Sequence, residues 1–142
     1  YIEPLLQMQG PGGEYVKFTD LRLMRRMVRD SLFRAYSPQK TLEHWHYVRS
    51  SEMRNILPYI RTTDYIVNSG LPYELPVMRA KLHSSFAQWA EQYRSDPLRR
   101  DAFERAERVY RMLEAVTPVE DVSVISPDSL LREFIGGSCY EY

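Results

Sequence analysis

One cysteine, Cys139, is all that the 142 residues contain, so no internal disulfide can brace the fold. That usage fits a reducing compartment and makes the cytoplasm the expected location. No apolar run approaches the roughly 20 residues needed to cross a bilayer, which argues against a membrane span. A secretory leader is not apparent, because the opening YIEPLLQMQGPGG has no basic start and no long apolar centre. Net charge is lacking too, with 19 Lys and Arg balancing 19 Asp and Glu. There is no internal repeat, no H-E-x-x-H zinc helix, no G-x-S-x-G elbow and no G-x-x-x-x-G-K-[ST] phosphate loop. GPGG at 10–13 lacks the lysine of such a loop and reads as a hairpin turn. The chain opens on tyrosine instead of methionine, so it is expected to be a piece of something longer.

What is present reads as one folded unit over 1–142. A hydrophobic content of 44% with 27% charged residues is that of a globular domain able to bury a core. The stretch 1–36 predicts a strand, YIEPLLQMQ, and a helix capped by Thr19 or Asp20 that runs to Tyr36. Ser37-Pro38 stops that helix and starts the next, over 38–57, with Leu42, Trp45, Arg49, Met53 and Ile56 near one stripe. DYIVNSG then reads as a strand closing the 37–70 section. In 71–142 a helix follows LPYELP, with Leu82, Phe86, Trp89 and Tyr93 as its buried stripe. Ser95 or Asp96 caps a fourth helix, about 97–116, burying Phe103, Ala106, Tyr110 and Leu113 and carrying Glu104–Arg108 and Glu107–Arg111 pairs. VSVIS predicts a last short strand, and DSLLREF a terminal helix ended by Gly136-Gly137.

The neutral total hides a basic third. Residues 17–61 hold ten Lys and Arg against four Asp and Glu, while 62–142 hold nine against thirteen. Four of those cations lie in TDLRLMRRMVRD, residues 19–30. At about 100° per residue, Arg22, Arg25, Arg26 and Arg29 fall within an arc of about 100°. Leu21, Met24, Val28 and Leu32 occupy the neighbouring arc and face the core. Arginine forks suit phosphate or carboxylate oxygens, so a bound polyphosphate would turn their mutual repulsion into attraction. The competing reading is neutralisation within the fold by Asp30, Glu43, Glu52 and other acids. A nucleic-acid backbone is the third candidate, and the weakest, because the whole chain is neutral and carries no binding motif.

Other constellations carry less. His44 and His46 point about 200° apart on a helix and cannot share a metal, and His83 is distant in sequence. Cys139 reads as a tail thiol beside two glycines. Arg49 and Glu52, at i and i+3, suit a pair bracing the second helix against the first.

TDLRLMRRMVRD, followed by TLEHWHYVRSSEMRNILPYIRTTDYIVNSGLPYEL and the closing SPDSLLREFIGGSCYEY, resembles the C-terminal half of the uridine kinase and phosphoribulokinase family. The likeness is greatest to bacterial uridine-kinase-like nucleoside kinases. It implies an α/β fold: the mostly helical C-terminal part of a P-loop kinase, with a few short strands of a parallel sheet. It implies a kinase that uses ATP and Mg²⁺ to phosphorylate a hydroxyl of a nucleoside or small sugar phosphate. Arg22, Arg25, Arg26 and Arg29 match the lid arginines that neutralise phosphoryl oxygens, Arg26 and Arg29 foremost. Asn68, Ser69 and Gly70 would lie near the nucleotide base. The family's phosphate loop and catalytic acid belong to an N-terminal half that has no counterpart here, so the chain alone is expected to be inactive. From a different class, the alternative is a non-catalytic interaction or oligomerisation module.

Overall fold

Helices outweigh strands throughout the computed structural model, which describes residues 1–10 and 12–141. The architecture is mostly helical with two short parallel strands. Strand β1 covers only Ile2–Glu3, and β2 only Val67–Asn68, paired as Ile2 with Val67 and Glu3 with Asn68. Both predicted strands are thus cut short. After Glu3 the chain turns, and Gln9 instead bridges Tyr15 in an antiparallel sense, with Val16 N–H donating to the Met8 carbonyl at 2.8 Å. That return confirms the hairpin at 10–13, although Pro11 lies outside the described residues.

Two helices fill the crossover between the strands. Helix α1 spans Phe18–Phe33 and α2 spans Pro38–Asn55, followed by a 3₁₀ turn over Leu57–Thr62. Extended Lys17, not Thr19 or Asp20, precedes α1, and no side chain caps it. Asp20 instead sits inside the first turn, where a carboxylate favours the helix dipole. The helix stops three residues before Tyr36 because Ala35 adopts φ +48°. Arg34 and Tyr36 then both donate their N–H groups to the Asp30 carbonyl. Leu21, Met24 and Val28 are buried as expected, whereas Leu32, in the last turn, is exposed. Ser37 caps α2, accepting from Lys40 N–H at 3.3 Å, with Pro38 at the first helical position. On α2 only the first half of the expected stripe is buried: Leu42 and Trp45 are inside, Met53 and Ile56 outside. Farther along α2 the inward position belongs to Glu52, which is drawn to Arg22 of α1.

Helix α3, Glu74–Tyr93, and α4, Arg100–Glu114, form a helical hairpin that packs onto α1 and α2. Helix α3 begins before the expected point, since Pro76 needs no donor in a first turn. Its predicted stripe is wholly buried, and Phe86 meets Trp89 edge-to-face at 5.2 Å. Asp96 caps the 3₁₀ turn that leads into α4, accepting from Leu98 N–H at 2.9 Å. The buried face of α4 is rotated from expectation: Ala102, Ala106, Val109 and Leu113 turn inward, leaving Phe103 and Tyr110 half-buried. Arg108 also departs from its expected partner. It grips Asp20 of α1 through two bonds of 2.8 Å, while Glu104 pairs with Arg100. Those bonds to Asp20 outweigh burial and raise the Arg108 pKa.

VSVIS forms no strand. Arg132 draws the carbonyls of Val122 and Ile125 to its guanidinium at 2.7 Å each, curling the segment into a turn. Helix α5 is a single turn, Arg132–Ile135, shorter than predicted, and Gly136 and Gly137 end it with φ +88° and +75°. It lies against α1. Among the described residues no helix is long and apolar enough to cross a membrane.

Candidate functional site

Placing arginine at positions 22, 25, 26 and 29 of one straight helix directs all four toward the same groove. The groove measures about 590 Å³ and lies between α1, the strands, α2 and α5. Its arginines differ sharply in what they hold.

Arg25 is a fixture of the core. Its side chain is 6% exposed and makes a two-pronged pair with the fully buried Glu74, Nε standing 2.7 Å from Oε2. Nη2, the second prong, also donates to the Ser69 carbonyl at 2.7 Å, and Nη1 donates to the Ser69 hydroxyl at 3.1 Å. The Phe134 ring lies 4.9 Å from its guanidinium carbon. Glu74 is further fixed by Leu71 N–H at 2.7 Å. Every oxygen and nitrogen that matters here is occupied, so Arg25 has little left for a ligand.

Arg22 is held by two carboxylates, Glu3 at 3.0 Å and Glu52. Glu52 also pairs with Arg49, as the i, i+3 spacing predicted. Burial pushes the Glu3 carboxyl pKa above its ordinary value, against the pull of Arg22.

Arg26 and Arg29 are different. Arg26 is the most open of the four and, among the described residues, pairs only with Asp30, at 3.1 Å. Arg29 stands 3.8 Å from the same Asp30 and 3.7 Å from Glu133, both loose pairs, and its Nε has no hydrogen-bond partner among the described residues. Arg34 also leans on Asp30, at 3.2 Å. One carboxylate therefore serves three guanidinium groups. Internal neutralisation is complete for Arg22 and Arg25 and incomplete for Arg26 and Arg29. Of the three acids expected to neutralise this face, Asp30 and Glu52 do so, while Glu43 turns instead to Arg99 and Tyr93.

The strand-end residues are placed less favourably for a ligand. Ser69 lines the groove but is spent on Arg25. Asn68 Oδ1 accepts from Leu5 N–H at 2.8 Å and Gly70 N–H at 2.9 Å, tying the two strand ends together. Gly70 packs so closely that an added Cβ would come 2.4 Å from Leu6. Sequence reasoning missed Glu74 and Phe134, which come from 49 and 109 residues beyond Arg25 and leave no local spacing signal. Guanidinium groups with slack suit phosphate oxygens. Among the described residues no three His, Cys, Asp or Glu side chains converge as metal ligands.

Compared with known proteins, the chain gives no match to a protein family, a curated protein or a solved structure.

Proposed function

We propose that this chain is the arginine-bearing, C-terminal part of an ATP-dependent kinase similar to uridine kinase, with Arg26 and Arg29 as its phosphate ligands. In that reaction the acceptor hydroxyl oxygen bonds to the γ-phosphorus, the bond to the β–γ bridging oxygen breaks, and ADP leaves. Arginines facing the phosphoryl oxygens neutralise charge there, as in other phosphoryl transfers. A phosphate loop, a general base and the Mg²⁺ ligands would come from elsewhere in the protein. The observation that carries the reading is the shared Asp30: Arg26, Arg29 and Arg34 divide that buried carboxylate, with only a loose 3.7 Å contact from Arg29 to Glu133 besides, and leave uncompensated cation at an open groove.

The exposed sheet agrees with it. Parallel strands are ordinarily covered on both faces, yet Ile2 and Val67 stand 60% and 49% exposed. A covering half that carries the phosphate loop would meet the chain there. A non-catalytic interaction module could use the same surface but would have no need of Arg26 and Arg29.

Titrating ATP separates these readings. Replacing Arg26 and Arg29 together by glutamine is expected to weaken ATP binding at least tenfold, since each charged hydrogen bond contributes about 1.5–3 kcal/mol. Equal affinities would remove both residues from the mechanism.

A further inference from the structure

Arg29 and Glu133 belong to two walls at once. Beyond them a second hollow, of about 480 Å³, opens at the C-terminal end of α1 beneath the Gly136-Gly137 turn. That volume is within the range of small-ligand sites. The phosphate reading above shares Arg29 with this hollow, and apart from Arg29 and Glu133 its lining residues are different.

Its charge is unbalanced. Arg29 and Arg34 compete for Asp30, as described, and Arg132 has no carboxylate partner among the described residues. Arg132 is instead held flat by the carbonyls of Val122, Ile125 and Gly136. Carbonyls orient a guanidinium without cancelling its charge. Among the described residues, Arg26, Arg29, Arg34 and Arg132 around this end of α1 face only Asp30 and Glu133.

The backbone adds donors. Gly137 and Ser138, both on the wall, leave their amide hydrogens without a protein acceptor among the described residues. Gly136 has open space where a Cβ would stand, whereas a Cβ on Gly137 would come 3.2 Å from Arg132 Nη1. What calls for glycine in this turn is the positive φ at both positions, +88° and +75°.

Two exposed rings complete the rim. Phe33 is 61% exposed and Tyr140 60%, and both line the hollow. Exposed aromatic faces beside arginines form a platform on which planar bases stack.

We infer that this hollow is a binding site for a nucleoside phosphate, its phosphate on Arg34 and the Gly137–Ser138 amides, with the carbonyl-held Arg132 adding charge behind them, and its base against Phe33 and Tyr140. Calorimetric titration of the whole chain with AMP, inorganic phosphate and adenosine tests it. AMP is expected to bind at least tenfold more tightly than either part alone. Arg34→Gln should weaken both AMP and phosphate about tenfold. Tyr140→Ala should weaken AMP about tenfold and leave phosphate unchanged. Both side chains are well exposed, so neither variant threatens the fold. AMP that binds no better than phosphate overturns the inference, as does an affinity that ignores either variant. Loss of AMP binding in Arg26→Gln, with none in Arg34→Gln, also overturns it by moving the ligand into the neighbouring groove. Arg26 lines the phosphate groove and not this hollow, so loss of ATP binding in Arg26→Gln with AMP binding unchanged bears on the groove alone, and the two failures are distinguishable.

Discussion

Helices α1 and α4 each carry four arginines, yet only one of them has cation to spare. On α4, Arg100 pairs with Glu104, Arg105 with Asp101 and Arg111 with Glu107, each four residues away, and Arg108 reaches across to Asp20. Each guanidinium has a carboxylate of its own. On α1, Asp30 is the only carboxylate within a helical turn of any of the four arginines that lies on a position able to pair, and Arg26, Arg29 and Arg34 divide it. The difference teaches that an arginine-rich helix is a site only where local carboxylates run short. Arginine count alone would have ranked the two helices equally.

The comparison breaks most severely at Arg25, the α1 arginine that behaves unlike its neighbours. Removing one partner of a buried pair strands the other charge, at a cost of about 3–5 kcal/mol. Arg25→Ala is therefore expected to lower stability to urea by that amount, leaving Glu74 buried without its cation. Arg100→Ala on exposed α4 should cost under about 0.5 kcal/mol. If the two variants unfolded alike, the division between core and groove arginines would be wrong.

Arg108 gives a smaller effect. It is half-buried, but its partner Asp20 is almost wholly enclosed. Arg108→Ala is expected to cost about 1–2 kcal/mol by leaving that carboxylate short of donors. A double-mutant cycle with Asp20→Asn should return a coupling of at least about 0.5 kcal/mol. Additive losses would mean that α1 and α4 are held together by packing alone.

How much of this was readable from sequence depended on range. The helical periods were legible where apolar residues recur locally: Leu82, Phe86, Trp89 and Tyr93 fell on one buried stripe as spaced. The punctuation at Ser37-Pro38, Asp96 and Gly136-Gly137 also held, since capping is a matter of adjacent residues. The arginine arc was legible because four positions of one helix are fixed by its pitch. Which of the four would be free was not, because Glu74 and Glu3 arrive from other elements. VSVIS misled for the same reason: its strand-like composition yields to Arg132, which collects its carbonyls from several residues away. Met53 and Ile56 misled because apolar spacing on α2 continues beyond the point where another element covers it.

Glu3 supplies the finest distinction between the two helices, since it is a carboxylate for α1 borrowed from a strand. Burial raises its pKa in the folded chain, with Arg22 opposing only in part. A carboxyl raised on folding adds stability below the ordinary glutamate range, where it is protonated in both states and only the folded environment favours the proton. That contribution is lost as pH rises through the higher folded value. Glu3→Gln cannot ionise, so its melting temperature should fall less across that acidic window and should equal or slightly exceed the parent's at pH 7. The gain should be smaller than the loss in Arg108→Ala. Arg22 would retain Glu52 and become the third arginine of the groove with a shared or single partner, so phosphate affinity should rise modestly with it. A variant that melts lower at pH 7 while keeping the parent's acidic slope would show that Arg22, not burial, governs Glu3. The carboxylate would then be part of α1's neutralisation, as Glu104 is of α4's.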